Sequence, residues 1–271
     1  MSRVFFASEL EGVATFWRVY RADGVTLGFT THDRDLWFDG VLHRAAPGLL
    51  PSAIRRTGDL ADDAVDVDGA LSHDTISADD LAAGRFDGAR VIIGLVDWNT
   101  LERAELYNGM IGAVSSGRSG FTAQLRSAKA LLDVDPIPRT SPTCRARFCG
   151  PGCDLSPARF TAEAMLATFD ADENSVIFAG ADASLYAFGE LRWIDGPHAG
   201  QTMALRPGNG AALVCDTRLD RELEAGTRAL LRQGCDHRLE TCAQRFGNAV
   251  NFQGEPFLPG NDLLAQYPAA R

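Results

Sequence analysis

Six cysteines are the residues of this 271-residue chain best suited to chemistry, and all fall in its second half: Cys144, Cys149, Cys153, Cys215, Cys235 and Cys242. Two pairs stand out. Cys144 and Cys153 bracket eight residues in TCRARFCGPGCDL, and Cys235 and Cys242 bracket six in GCDHRLETC. Four thiolates meeting at one point repel one another unless a cation joins them, so a converging set implies structural zinc or an iron–sulfur cluster. Neither spacing is the short C-x2-C knuckle of structural zinc, and neither is the compact ferredoxin run. Spacing alone therefore leaves two readings open, a four-thiolate metal site and small apolar side chains in a core. Local chemistry favours the site. Cys149-Gly150-Pro151-Gly152-Cys153 lets the backbone wrap closely and aim amides at sulfur. Arg145, Arg147, Arg238 and Arg245 flank the pairs and could offset thiolate charge. Cys215, at the end of the apolar stretch AALVC, reads as core, and Cys149 could replace either of its neighbours as a ligand.

Other polar groups suggest less. His32, Asp33 and Asp35 could form an acid–base group, but no nucleophile accompanies them, and turn-stabilising hydrogen bonds account for them better. The acidic stretch 62–68 lacks the central glycine and closing glutamate of a calcium loop. His237, two residues from Cys235, could ligate zinc. No phosphate-binding loop, dinucleotide fingerprint or hydrolase nucleophile motif occurs, so a non-enzymatic role is expected.

The elements that must position the cysteines read as β structure. Residues 14–21, ATFWRVYR, suit a strand. Asp23-Gly24 supplies a hairpin turn before residues 25–31, and Asp39-Gly40 repeats the pattern between 35–38 and 41–43. Two successive hairpins imply a meander, the usual start of a sandwich or barrel. Further strands are expected at 59–72, 90–97, 104–114 (with a turn at Asn108-Gly109) and 121–125. Short helices are expected at 76–83 and 127–132. Three prolines, Pro136, Pro138 and Pro142, then mark a connector. The chain thus divides into residues 1–135 and 136–271, both mainly β and of barrel or sandwich type. Strands in the second part are expected at 159–168, 175–178, 186–194, 201–205, 211–215 and 227–233, with a short helix at 239–246. Unpaired strand edges in both parts would suit assembly into rings.

The formal net charge of −10, with no long basic run, argues against a sequence-reading or phosphate-gripping surface. No apolar stretch is long enough to span a membrane, and the N-terminal residues lack a secretory signal, so synthesis in the cytoplasm is expected. In that compartment a disulfide framework is not expected.

The stretch GCDHRLETCAQRFGNAVNFQGEPFLPGND resembles the signature of a known family: a Cys-Asp start, a second cysteine seven positions on, Arg-Phe-Gly-Asn, Asn-Phe-x-Gly and a closing Pro-Gly. GFTTHDRDLWFDGVLHRA and SPTCRARFCGPGCDL match the same family. It is that of the baseplate hub proteins of siphophage-like tails and gene transfer agents, relatives of the lambda-type minor tail protein L. The resemblance covers nearly the whole chain. It implies a 4Fe-4S cluster on Cys144, Cys153, Cys235 and Cys242, with zinc the alternative metal. Cys149 departs from the family pattern, which has another residue there. The resemblance further implies a trimeric ring between the distal tail protein and the central host-contact protein, with the tape measure as a further neighbour. Such a protein is made in the cytoplasm and assembled into the tail of a virion-like particle. A cluster joining both pairs would close a loop of roughly ninety residues, a stabilisation of several kcal/mol if it behaves as other structural metal sites do.

Overall fold

A computed structural model of the chain describes residues 12–45, 50–51, 65–70, 76, 80–81, 83–116, 120–132 and 137–257. The chain separates into two compact units, Met1–Val134 and Asp135–Arg271. Both are mainly β.

The described strands of the first unit are β1 (Val13–Tyr20), β2 (Thr26–Thr30), β3 (Leu36–Phe38), β4 (Val41–Arg44), β5 (Leu50–Pro51), β6 (Val65–Ala70), β7 (Arg90–Asp97), β8 (Arg103–Ser116) and β9 (Gly120–Ser127). They form one sheet in the order β3-β4-β2-β1-β7-β8-β9-β6-β5. Strand β1 lies inside the sheet, paired antiparallel with β2 and β7. Its side chains alternate between two apolar clusters. Trp17 and Val19 join Phe29, Val91, Ile93, Phe86 and Tyr107, while Ala14 and Phe16 join Leu36, Phe38, Ile92 and Val96. Apolar cover on both faces explains why β1 reads as a nearly continuous apolar run.

The Asp39-Gly40 turn has positive φ at both residues, 54° and 72°, as a two-residue hairpin of this hand requires. The hairpin it makes does not continue a meander. Strand β4, not β3, pairs with β2, and it does so in parallel, leaving β3 outside it at the sheet edge. Packing accounts for this. Phe38 and His43 stack at 3.8 Å, and both rings meet Phe16 edge-on at 5.3 and 5.6 Å.

The same face buries charge. Arg18 Nε donates to His43 Nε2 (2.9 Å), and Arg18 Nη2 pairs with Asp39 (2.7 Å), which also binds Arg103. Because arginine can only donate, His43 is the tautomer whose Nδ1–H faces Leu36 O (3.3 Å). His43 is fully buried. Its burial, and then the Arg18 charge, push its pKa down to about 4.

Asn108-Gly109 is not a turn. Both residues lie within β8, opposite Ile92 and Val91. A Cβ at Gly109 would stand 2.3 Å from Arg126 O and 2.7 Å from the Tyr107 ring, so the glycine serves close approach. The expected strand at 59–72 is described only over β6. Half of the expected helix at 76–83 lies outside the described residues, and the acidic stretch 62–68 is described only in its last part.

The second unit closes six strands into a barrel: β10 (Thr161–Asp170), β11 (Ser175–Phe178), β12 (Glu190–Trp193), β13 (Thr202–Pro207), β14 (Leu213–Cys215) and β15 (Arg228–Arg232), ordered β10-β11-β14-β13-β12-β15. Strand β10 pairs at one end with β15 and at the other with β11, bending at an irregularity between Leu166 and Thr168. The interior holds Leu166, Val176, Phe178, Leu191, Trp193, Met203, Leu205, Leu213 and Leu231. Closure leaves the barrel no free edge, so the expectation of edge strands fails for this unit. Two short helices accompany it, α1 (Ala183–Tyr186) and α2 (Leu239–Gln244). The expected strand at 186–194 is shorter because Asp182 caps α1, its Oδ1 accepting from Ser184 N at 3.0 Å. Tyr186 ends that helix, and the strand starts only at Glu190.

Candidate metal centre

The barrel occupies residues 161–232, and five of the six cysteines stand outside it. Cys144, Cys149 and Cys153 precede the barrel. Cys235 follows β15, and Cys242 lies on α2. Cys215 is the exception. It sits in the barrel core, 3% exposed, where burial pushes its thiol up to about 12.

The segments before and after the barrel are stitched together by backbone hydrogen bonds. Cys144 N donates to His237 O (2.8 Å), Arg145 N to Gln253 O (3.0 Å) and Glu255 N to Ser141 O (2.7 Å). Ser141 N returns a bond to Glu255 Oε2 (2.9 Å), and Arg145 grips the same carboxylate with two bonds of 2.7 and 2.9 Å. A Cβ at Gly254 would meet Thr143 O at 2.6 Å, so glycine is what lets these two backbones approach. Three half-buried rings, Phe148, Phe160 and Phe246, pack together with centroids 4.7 to 5.5 Å apart. They add apolar contact between the same segments.

The sulfurs are met by N–H donors. Gln253 N lies 3.3 Å from Cys144 Sγ, and His237 N lies 3.4 Å from Cys235 Sγ. Asn248 is buried; its Nδ2 donates to Cys153 O (2.7 Å) and stands 3.7 Å from Cys153 Sγ. Amide donors of this kind stabilise thiolate over thiol. The thiols also sense one another. Burial pushes the Cys242 pKa up first, and Cys235, Cys144 and Cys153 push it further. Burial likewise raises Cys235; the His237 amide opposes it, and Asp236, Cys153 and Cys144 add to the rise. The sequence-selected quartet therefore shares one neighbourhood. All six thiols are free of disulfides.

Among the described residues, no three Cys, His, Asp or Glu side chains group as ligands of one metal ion. A single tetrahedral zinc holds sulfur at about 2.3 Å and hence brings its sulfurs within roughly 4 Å of one another. In a cluster each thiolate binds a different iron, so the sulfurs stand wider apart while still sharing charge.

The flanking arginines are largely engaged elsewhere. Arg147 pairs with Glu190, and Arg245 donates to Leu185 O (2.7 Å) and Gln233 Oε1 (2.9 Å). The Arg145 pKa is raised chiefly by its hydrogen bond to Glu255, with Cys144 contributing least. His237 serves the site through its backbone. In the first unit, His32 Nδ1 accepts a turn bond from Arg34 N (3.0 Å) and lies 3.2 Å from Asp33 Oδ1, while Asp35 Oδ1 accepts from Ala45 N (2.9 Å) across the β3–β4 hairpin. Sequence reasoning missed Asn248 and Gln253. The Asn248 side chain belongs to the Arg-Phe-Gly-Asn run, which was its available signal.

Two family models and a solved structure are similar to this chain. A family model described as "Baseplate hub protein, N-terminal attachment domain" matches residues 4–156, which include Cys144, Cys149 and Cys153. A second, "Phage conserved hypothetical protein BR0599", matches residues 184–262, which include Cys235 and Cys242. Comparison with curated protein sequences gives no match. Among solved structures, a chain of "Virion of native gene transfer agent (GTA) particle" is similar at 33% identity and a TM-score of 0.82, covering 97% of this chain and 94% of that one. With over half its length matched by the first family model, and a solved relative aligned almost end to end, the chain belongs to the baseplate hub family of phage-like tails.

Proposed function

We propose that this chain is a structural hub protein in the tail baseplate of a gene-transfer-agent-like particle, with an iron–sulfur cluster of the 4Fe-4S type on Cys144, Cys153, Cys235 and Cys242. The hub forms a homotrimeric ring linking the distal tail protein to the central host-contact protein, with the tape measure nearby. Its role is mechanical and not catalytic. The observation that carries this reading is the near end-to-end likeness to a chain of a gene transfer agent virion. The ring and its neighbours follow from the family resemblance.

The cluster reading draws its support from the quartet. Two thiols come from each side of the barrel in sequence, and each of Cys144, Cys153 and Cys235 has an N–H donor at its sulfur. When bound, such a cluster supplies a cross-link and a positive centre that holds thiolates ionised. The chain's own residues do the rest. Gln253, His237 and Asn248 orient sulfur, Glu255 and Arg145 lock the two segments, and the phenylalanine trio limits water.

Protein purified without oxygen tests this directly. Iron, acid-labile sulfide and broad absorption near ~400 nm are expected together. A colourless protein with stoichiometric zinc would overturn the cluster. For the hub role, micrographs of particles carrying Cys235→Ser should show missing or malformed tail tips; intact tails lacking this protein would overturn it.

A further inference from the structure

Asparagine followed by glycine occurs twice in the chain, at Asn108-Gly109 and Asn209-Gly210. Asparagine is a chemically labile residue, and a following glycine removes the side chain that would keep the next backbone nitrogen from its side-chain carbonyl. The fold treats the two copies differently. Both asparagines are exposed, so exposure does not separate them. The backbone does. Asn108 and Gly109 lie inside β8, where Gly109 is buried and faces Val91 of β7 on one side and Ser127 of β9 on the other. Asn108 Oδ1 also accepts from Arg90 Nε at 3.2 Å. Turning that peptide out of the sheet means opening the strand.

Asn209 and Gly210 lie in the turn that joins β13 to β14. Gly208 N donates to Ala212 O (3.0 Å) and Ala212 N to Asn209 O (3.1 Å), so the loop is closed by its own backbone. Among the described residues, neither the Asn209 side chain nor Gly210 N has a hydrogen-bond partner. Gly210 is exposed, its φ is 61°, and nothing lies within 4 Å of where a Cβ would stand. No ladder and no packed side chain among the described residues restrains the peptide between the two.

We propose that Asn209 is a site of spontaneous deamidation, a slow mark that the protein acquires with age while its barrel stays folded. The only co-reactant is water. Gly210 N bonds Asn209 Cγ and gives up its proton. The Cγ–Nδ2 bond breaks, and the leaving nitrogen takes up that proton and departs as ammonia. A cyclic succinimide remains, and water adds to either of its carbonyls. Opening at Cγ gives aspartate. Opening at the main-chain carbonyl gives isoaspartate, which carries the chain through Cγ. No electron moves, so no oxidant or reductant is needed. Either product makes the formal net charge of −10 one unit more negative. The change is local, because the bonds that close the loop use backbone groups alone and the nearest ladder pairs, Pro207 with Leu213 and Arg206 with Val214, lie outside the reacting peptide.

The test incubates the full-length protein for days in mildly alkaline buffer and then digests it. Peptide mass spectra report the exchange of an amide NH2 for OH at each asparagine, and an isoaspartate-specific methyltransferase reports passage through the ring. Aspartate and isoaspartate should both accumulate at position 209. Asn108 should convert at least roughly tenfold more slowly, since a residue inside a sheet reacts only when its strand opens. In denaturant the difference should vanish, because the two Asn-Gly pairs are then equally free. Asn209→Gln, which would need a larger ring, should abolish the isoaspartate signal of the native protein. Exchange protection at Leu205 and Leu213 should be the same before and after conversion. A native Asn209 that stays intact while the denatured chain converts overturns the site. Equal conversion of Asn108 and Asn209 in the native protein overturns the selection by the fold, and lost protection at Leu205 and Leu213 overturns the sparing of the barrel.

Discussion

The two units hold distant chain segments together by different means. In the first, the described strands share one hydrogen-bonded sheet, with apolar side chains packed on both of its faces. In the second, the barrel is closed within residues 161–232, and the segments on either side contain no strand among the described residues. Those segments meet through a few hydrogen bonds, one two-pronged ion pair and three rings, and the thiol quartet lies at their meeting point. The contrast gives the proposed metal centre its purpose. A ladder needs no further cross-link, whereas two irregular segments joined by so little cannot offset the entropy of ordering them.

The largest effect should come from removing the cross-link. If the proposed cluster is that cross-link, Cys235→Ser, or treatment with a chelator, should release residues 137–160 and 233–257 at a cost on the order of several kcal/mol while the barrel stays folded. Hydrogen exchange followed peptide by peptide checks this. Protection should vanish at Cys144, Cys242 and Gln253 and persist at Leu191 and Leu231. Uniform loss across the second unit would break the comparison, because it would make the barrel depend on the clasp.

Acid should separate the units next. His43 is neutral in the folded first unit, with a pKa of about 4 against an ordinary 6.5. The unfolded chain therefore binds the extra proton over that window. The stability His43 contributes is complete above pH 6.5 and is lost as pH falls toward 4, a change of about 3 kcal/mol. His43→Gln keeps an acceptor for Arg18 and a donor for Leu36 O but cannot titrate. Denaturant titrations of the first unit's signal should slope with pH in the wild type and be flatter in the variant. Equal slopes would sink the assignment.

These effects also mark what was legible in the sequence. The Asp39-Gly40 turn and the strand character of β1 were readable because each depends on residue type at short range, whereas the choice of four cysteines came from the family resemblance and not from their spacing. The parallel β2–β4 pairing was not readable, because it follows from Phe38 and His43 finding Phe16 across the sheet. Gly109 misled because glycine serves both turns and close approach, and only the neighbouring strand decides which. The amide donors to sulfur were hidden for a similar reason. Gln253 N and Cys144 Sγ are far apart in sequence and meet only after the segments fold back.

A smaller effect should sharpen the account of the clasp itself. Asn248 is buried, donates to Cys153 O and accepts from Asn251 Nδ2 at 2.8 Å. Asn248→Ala leaves a buried carbonyl without that donor and should cost about 1–3 kcal/mol. Loss confined to the segments around Cys153, seen by exchange, is expected with the barrel unchanged. An equal loss in the barrel strands would show that Asn248 supports the whole unit.

The smallest effect belongs to the Arg145–Glu255 pair. The hydrogen bond from Arg145, then the Ser141 amide, hold the Glu255 pKa down to about 2, against partial burial that would raise it. A carboxylate depressed in this way stabilises the fold above its ordinary pKa of 4.5, and that contribution fades as pH falls toward 2. This window lies below that of His43, so mild acid should loosen the first unit before it loosens the clasp. Both partners are substantially solvent-exposed, so salt should weaken the pair, as it does surface ion pairs generally. Glu255→Gln should therefore lower clasp protection slightly at neutral pH and low salt, and not at all in high salt. If the variant instead releases Cys144 as fully as Cys235→Ser does, the segments are held by the ion pair and not by the thiols, and the contrast between the two units fails at its second term.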